Sequence, residues 1–253
     1  MLVPLLSVLV IGTAAFVTHE LEQSRAKPLT ASQTEPVIRS WEYVDGFPMR
    51  ISVFQTVFWE PRDTDSLREL IETTDLVHGK RVLEIGTGSG LVALCCLREG
   101  AAQVVATDVN PNAIENVRYN ARVLDVAERL EARFVGTPIA DAFAVIGTEE
   151  KFDLIVSNPP WENAVPRTTA EFALYDKDFQ LLESILAGAR ARLNPGGRLL
   201  LAYGCREALE RIAQLCREFD LNSQQLDPRS LSDLPDVFVP GMLVEILPPQ
   251  GHF

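Results

Sequence analysis

Asn158-Pro159-Pro160-Trp161 carries the densest chemistry in the sequence. It follows an apolar run, Phe152–Ser157, that predicts a strand, and stands at the carboxyl end, where open α/β sheets bind ligands. Asn158 offers a carboxamide oxygen as acceptor. Proline lacks an N–H and fixes φ, so Pro159 and Pro160 hold main-chain carbonyls in one direction, and Trp161 supplies a flat apolar wall. Upstream, Val82-Leu83-Glu84-Ile85-Gly86-Thr87-Gly88-Ser89-Gly90-Leu91 runs from a strand through a glycine turn into a helix. Such a turn lets backbone approach a ligand closely and presents free N–H groups. A dinucleotide fingerprint spaces its glycines G-x-G-x-x-G; here the spacing is G-x-G-x-G, with Leu91 where the last dinucleotide glycine belongs. Asp108, 18 residues after Gly90 at the tip of the next strand, can accept hydrogen bonds from both hydroxyls of a ribose. Taken alone, that acid fits a nicotinamide dinucleotide equally well.

The glycine spacing, with Glu84 two positions before the first glycine, resembles motif I of class I S-adenosylmethionine-dependent methyltransferases. Asn-Pro-Pro-Trp, beginning 68 residues after Gly90, resembles the (Asn/Asp/Ser)-Pro-Pro-(Tyr/Phe/Trp) motif of those members that act on planar nitrogen, either exocyclic amines of adenine or guanine or the glutamine side-chain amide. The resemblance implies S-adenosylmethionine as cofactor. Gly86 and Gly88 would approach its amino-acid moiety, Glu84 its amino group and Asp108 its ribose, with Thr87, Gly90, Val109 and Asn158 completing the surroundings. It also implies catalytic work for Asn158, Pro159, Pro160 and Trp161. A planar NH₂ has a delocalised lone pair and is a weak nucleophile. Bonds from its N–H groups to the Asn158 oxygen and the Pro159 carbonyl would localise that pair, by orientation and electrostatics and with no strong base. One part of the pattern is altered: where the family often carries an acid for the adenine amino group, Thr137-Pro138 stands, and Asp141 comes a few residues late.

Phe58-Trp59-Glu60-Pro61-Arg62-Asp63-Thr64-Asp65 resembles the segment before motif I in HemK-type protein-glutamine N5-methyltransferases, with Pro-Arg-Asp in place of the usual Pro-Arg-Pro. Such a segment folds over the cofactor and borders the target pocket, and those enzymes modify the Gly-Gly-Gln loop of peptide-release factors. The implied acceptor is a protein with an accessible glutamine, a peptide-release factor or a ribosomal protein. The rival acceptor is an exocyclic amine of RNA or DNA. Twenty-three Lys and Arg against 35 Asp and Glu leave a charge of −12, which disfavours a polyanion. A non-catalytic cofactor-binding or membrane-scaffold module is the reading from another class. A nicotinamide oxidoreductase fails on glycine spacing and lacks a Tyr-x-x-x-Lys or histidine acid/base.

These motifs need a scaffold. From Arg81 onward, apolar strands alternate with amphipathic helices, which predicts a doubly wound α/β, Rossmann-like, seven-stranded sheet, mostly parallel with an antiparallel C-terminal strand at Met242–Leu247. Expected helices are Asp63–His78 (capped by Thr64 or Asp65 and closed at Gly79), Gly90–Glu99, Asn112–Leu124, Phe179–Leu193 and Arg206–Phe219. Residues between Trp161 and Phe179 are expected to form a lid. Cys95, Cys96, Cys205 and Cys216 show no CxxC pair and His19, His78 and His252 are scattered, so no metal site is expected and the thiols should be buried. Leu2–Thr18 carries no charge, and seventeen helical residues reach about 25 Å, so residues 1–18 read as a membrane anchor. Residues 19–45 read as a linker and 46–253 as the methyltransferase domain. Arg25 and Lys27 follow the apolar segment and no basic residue precedes it, which places the domain on the cytoplasmic face of a membrane, or in the cytoplasm if the mature protein lacks the segment.

Overall fold

The computed structural model describes residues 37–136, 141–230 and 241–247. The apolar stretch 2–18, the linker up to residue 36 and Thr137-Pro138 lie outside them. Among the described residues, no helix is long and apolar enough to cross a membrane. Strands β1 (Ile38–Glu42) and β2 (Ile51–Phe54) pair antiparallel as a separate ribbon. The chain continues as α1 (Asp65–Thr73), β3 (Arg81–Ile85), α2 (Leu91–Arg98), β4 (Gln103–Asp108), α3 (Pro111–Val123), β5 (Leu130–Phe134), β6 (Phe152–Ser157), α4 (Gln180–Ala189), β7 (Leu193–Tyr203), α5 (Arg206–Glu218), β8 (Asn222–Gln225) and β9 (Met242–Leu247). The seven strands after the ribbon form one sheet in the order β5-β4-β3-β6-β7-β9-β8. Neighbours from β5 to β7 are parallel, and β9 runs antiparallel to both β7 and β8.

Successive strand side chains point to opposite faces, and each face has its own helices. Val82, Val104, Leu154 and Leu200 join Leu67, Ile71, Leu94 and Val117 of α1 to α3 on one side. Leu83, Val105, Ile155 and Leu199 join Leu182, Ile185, Ile212 and Leu215 of α4 and α5 on the other. Cys95, Cys96 and Cys216 are buried free thiols, and burial pushes the Cys95 thiol up to about 12. The order also fixes where a ligand can go. The chain starts at β3, winds outward through β4 to β5, then returns to β6 on the other flank of β3. Connections therefore leave in opposite directions at the carboxyl ends of β3 and β6, which opens a crevice there. Ile85 pairs with Thr107 on one side and Ser157 on the other, so Gly86, Asp108 and Asn158 each come one residue past a shared level. The Ser157 hydroxyl donates to the Ile85 carbonyl at 2.7 Å and ties the two central tips together.

The structure departs from these expectations at five points. The 19–45 stretch contains a strand, β1, whose partner β2 is fully buried. Strand β8, Asn-Ser-Gln-Gln with every residue exposed, gave no apolar pattern to read and exists by pairing with β9. Helix α1 stops at Thr73, because the Thr73 and Thr74 hydroxyls turn back to the carbonyls of Glu69 and Leu70, both at 2.6 Å. Its start is not capped by Thr64, whose hydroxyl instead donates to the Pro61 carbonyl within a 3₁₀ turn, Pro61–Thr64. Asn194-Pro195-Gly196-Gly197 does not separate α4 from the next strand but is the irregular first half of β7.

The ribbon is held by two buried asparagines one turn apart on α3. The Asn116 side-chain oxygen accepts from Phe54 N at 2.8 Å and that of Asn120 from Ser52 N at 3.0 Å, while both amide nitrogens donate to the Ser52 carbonyl. These side chains act as the neighbouring strand that this edge of β2 lacks. Asn120 also donates to the Ser89 carbonyl at 3.0 Å, so one side chain connects the ribbon to the glycine turn. Asn120→Ala takes the partner from the Ser52 N–H and from the Ser89 carbonyl and is expected to cost about 3 kcal/mol, measured by urea denaturation. A loss under about 1 kcal/mol would show that the asparagine is not what secures the ribbon.

Candidate active site

The glycines of the turn do different work. Gly86, Gly88 and Gly90 all have positive φ, at 77°, 53° and 87°. A Cβ on Gly86 or Gly88 would meet nothing within 4 Å, so both backbones face open space. A Cβ on Gly90 would stand 2.5 Å from Val117 Cγ2, so this glycine permits α2 and α3 to pack against each other. Gly90→Ala is expected to cost about 2–5 kcal/mol, the sum of overpacking and a left-handed alanine. Gly79, with φ of 70° and nothing near its missing Cβ, is the control and should cost about 1–2 kcal/mol on substitution by alanine. Equal losses in urea denaturation would contradict the packing role.

The turn is clipped to β4. Gly86 N and Thr87 N donate to the Thr107 carbonyl at 2.9 and 3.0 Å, and Gly88 N donates to Asp108 Oδ2 at 2.9 Å. Asp108 Oδ1 accepts from Asn110 N at 2.7 Å. The N-cap of α3 is Asn110, whose side chain accepts from Asn112 N, so Asp108 is released from capping and braces the turn. Burial pushes its carboxyl up to about 6 against these N–H groups. Each oxygen still has a lone pair free for a hydroxyl. Glu84 is 4% exposed, and its Oε2 accepts from the Thr87 hydroxyl at 2.5 Å. Burial pushes the Glu84 carboxyl up to about 8, so near neutrality it holds a proton.

Glu84, Gly86, Thr87, Gly88, Asp108, Val109, Asn158, Pro159 and Pro160 line one crevice. Val135, Asp141 and Ala142 close one part of it, Phe58, Glu60 and Thr64 another. Gly90 and Trp161 are the two expected site residues that are not on its wall. A second cavity adjoins it, lined by Phe58, Glu60, Asp63, Asn158, Pro159, Trp161, Glu162, Ala173 and Leu174. The two share Phe58, Glu60, Asn158, Pro159 and Ala173. Between them the chain from Glu162 to Tyr175 folds back on itself, with Glu162 N donating to Leu174 O and Asp176 N to Glu162 O. Its 3₁₀ turn, Thr169–Ala173, borders the first crevice as the expected lid.

Trp161 does more than offer a flat wall. Its indole N–H lies 3.1 Å from Asn158 Oδ1 and 3.3 Å from the Ala202 carbonyl, and its ring packs on the buried cluster of α4 and α5. The carboxamide is therefore held by its own motif, with one oxygen lone pair left for a further donor. Phe58, Glu60 and Asp63 join the cavity walls without being among the expected site residues; the signal for them is the resemblance of residues 58–65.

Residues 55–223 match the Methyltransferase small domain family. The chain belongs to that family, which is one of S-adenosylmethionine-dependent methyltransferases. It is 35% identical over 181 residues to the release factor glutamine methyltransferase of Cereibacter sphaeroides, covering 63% of each chain. It is 28% identical over 205 residues to the ribosomal protein L11 methyltransferase of Pelobacter propionicus, covering 77% of this chain and 58% of that one. The chain thus spans less than two thirds of the length of these relatives. The 16S rRNA N2 G1207 methyltransferase of T. thermophilus, solved in complex with AdoMet and guanosine, superposes with a TM-score of 0.55 at 21% identity, over 79% of this chain and 47% of that one, and shares the fold.

The crevice fits S-adenosylmethionine. Two open glycine backbones, an acid carrying spare lone pairs and a buried carboxyl meet the needs of its amino-acid part, ribose and ammonium. Among the described residues lining either cavity there is no Lys, Arg or His.

Proposed function

We propose that this domain methylates the nitrogen of a planar NH₂ group, the side-chain amide of a glutamine in a protein. The observation that carries the reading is the meeting of two cavities at Asn158 and Pro159. One has the donor set for the cofactor, and the other has acceptor groups between the apolar walls of Phe58, Trp161 and Leu174. S-adenosylmethionine supplies an electrophilic methyl group when bound. Gly86 and Gly88 admit its amino-acid part, Glu84 faces the ammonium, Asp108 takes the ribose hydroxyls, and Thr87 and Val109 line the floor. Asp141, which borders the crevice beside Val135 and Ala142, takes the adenine side. Asn158 Oδ1 and the Pro159 carbonyl accept the two N–H groups of the acceptor, and the nitrogen lone pair is left directed away from both. Phe58 and Trp161 hold its plane and exclude water.

Protein rather than nucleic acid is favoured because three carboxylates (Glu60, Asp63 and Glu162) line the acceptor cavity and no cation does, an arrangement that repels phosphate. Relatives that bear the names of release-factor and ribosomal-protein methyltransferases support the same class. The test incubates the full chain with methyl-labelled cofactor and, separately, a bacterial peptide-release factor, ribosomal proteins, RNA and DNA. Label in a protein glutamine is the expected result. Label in RNA or DNA with none in protein would move the acceptor to an exocyclic amine, and label in nothing would leave a binding module.

A further inference from the structure

The acceptor cavity contains a carboxyl group that the pinning of an NH₂ does not use. Asp63 lies in the 3₁₀ turn Pro61–Thr64 and is 9% exposed, yet its side chain makes no hydrogen bond or ion pair with any described residue. Its neighbours on the turn are occupied elsewhere: Glu60 caps the turn by accepting from Arg62 N, and Thr64 donates to Pro61. A nine-tenths buried acid with no partner, on the wall of a cavity shared with Asn158 and Trp161, is placed for a donor that arrives with the ligand.

We infer that Asp63 is a catalytic residue of the acceptor cavity, taking the proton that the acceptor nitrogen must lose. This rests on the reading of the domain as a planar-nitrogen methyltransferase. When the C–N bond forms and the C–S bond breaks, sulfur keeps the electron pair and becomes a neutral thioether. The nitrogen then carries one substituent too many and a positive charge. As the nitrogen turns tetrahedral, one N–H leaves the Pro159 carbonyl for an Asp63 oxygen, and its electrons return to nitrogen as the proton passes. Charge balances, since one sulfonium and one carboxylate become a thioether and a carboxylic acid. Asp63 then loses the proton to solvent.

The surroundings suit a base working near neutrality. Burial, and then the carboxylates of Glu60 and Asp65, push the Asp63 carboxyl up to about 7, while Arg62 pulls it down. Glu162 lines the same cavity. Arg68 of α1 reaches the same turn but is bound to Asp65, Thr64 and the Pro61 carbonyl. Gly241, on which an added Cβ would collide with the Asp63 carbonyl oxygen, brings no charge.

The experiment uses the full chain and its Asp63→Asn variant with a recombinant bacterial peptide-release factor as acceptor. The variant should fold and bind S-adenosylmethionine as the wild type does, since it neutralises an unpaired buried acid. Its kcat should fall about 100-fold or more with KM within about threefold, and the rise of kcat/KM on going from pH 6 to 8 should vanish. Asp63→Glu should recover part of kcat. Independently of turnover, carboxyl-carbon NMR should show an aspartate titrating near pH 7 in the wild type and missing from the asparagine variant. A variant with kcat within threefold and an unchanged pH profile, or a wild type with no such resonance, overturns the role of Asp63 and leaves the methyltransferase reading standing. A wild type that binds the cofactor but labels neither release factor nor any other acceptor overturns that reading, and this inference with it.

Discussion

Asn158→Ala is expected to lower kcat about 100- to 1,000-fold while leaving the affinity for S-adenosylmethionine within about twofold of wild type. The asymmetry follows from when charge appears. The Asn158 oxygen accepts an N–H that is neutral in the bound acceptor and becomes charged as the nitrogen takes the methyl group, so the bond strengthens in the transition state. Losing a preorganised polar group that meets developing charge typically costs a factor of this size. Trp161 is what preorganises it, through the indole N–H at 3.1 Å, and the Ala202 carbonyl keeps that indole in place. Steady-state kinetics for kcat and calorimetry for cofactor affinity separate the two effects. Equal losses in both would show that Asn158 serves the cofactor alone. An unchanged kcat would remove the tetrapeptide from the mechanism.

Glu84→Gln is expected to act on the cofactor instead. The Glu84 carboxyl, pushed up to about 8 by burial, is protonated in the free protein at pH 7. A bound ammonium favours the ionised form, so binding should release close to one proton at pH 7 and tighten as pH rises from 6 to 8. Calorimetry in two buffers with different ionisation heats counts that proton. In the glutamine variant the proton release should disappear and affinity should fall about 100-fold, the loss of a buried charged pair. The unliganded protein gives a second readout with the opposite sense. The unfolded chain ionises Glu84 near its ordinary value of 4.5, while the folded chain keeps the proton to about 8. Between these pH values the folded state binds more protons, so stability falls as pH rises. Glu84→Gln removes this slope, and relative to wild type it should gain on the order of 4 kcal/mol between pH 5 and pH 8. No change in relative stability across that interval would mean that the carboxylate is accommodated in the fold without a ligand.

The three motifs were legible because each is short and meets its requirement locally. A glycine turn needs positive φ wherever it occurs, a diproline fixes its own backbone, and an acid at a strand tip is recognisable by position. Strands β3, β6 and β9 were legible to the residue because each is a largely apolar run, interrupted by a single acid (Glu84, Asp153 and Glu245), with sharp ends. Where local signals competed, boundaries moved: two threonine hydroxyls ended α1 at Thr73, five residues before the expected end at His78.

The alternation of elements, the doubly wound sheet and the identity of the residues at its carboxyl edge thus follow from backbone preference and apolar periodicity along the chain. Which of those residues touch is set by the folded chain as a whole. It made a strand of Ile38–Glu42 by supplying β2, and a strand of Asn222–Gln225 by supplying β9. Gly90 became a packing residue through Val117, and Trp161 became the holder of Asn158. Asp63 was buried without a partner on the wall of the second cavity. Register, burial and hydrogen-bond pairing join residues tens of positions apart, and no local pattern encodes them; they are settled when the sheet and its helices close around each other.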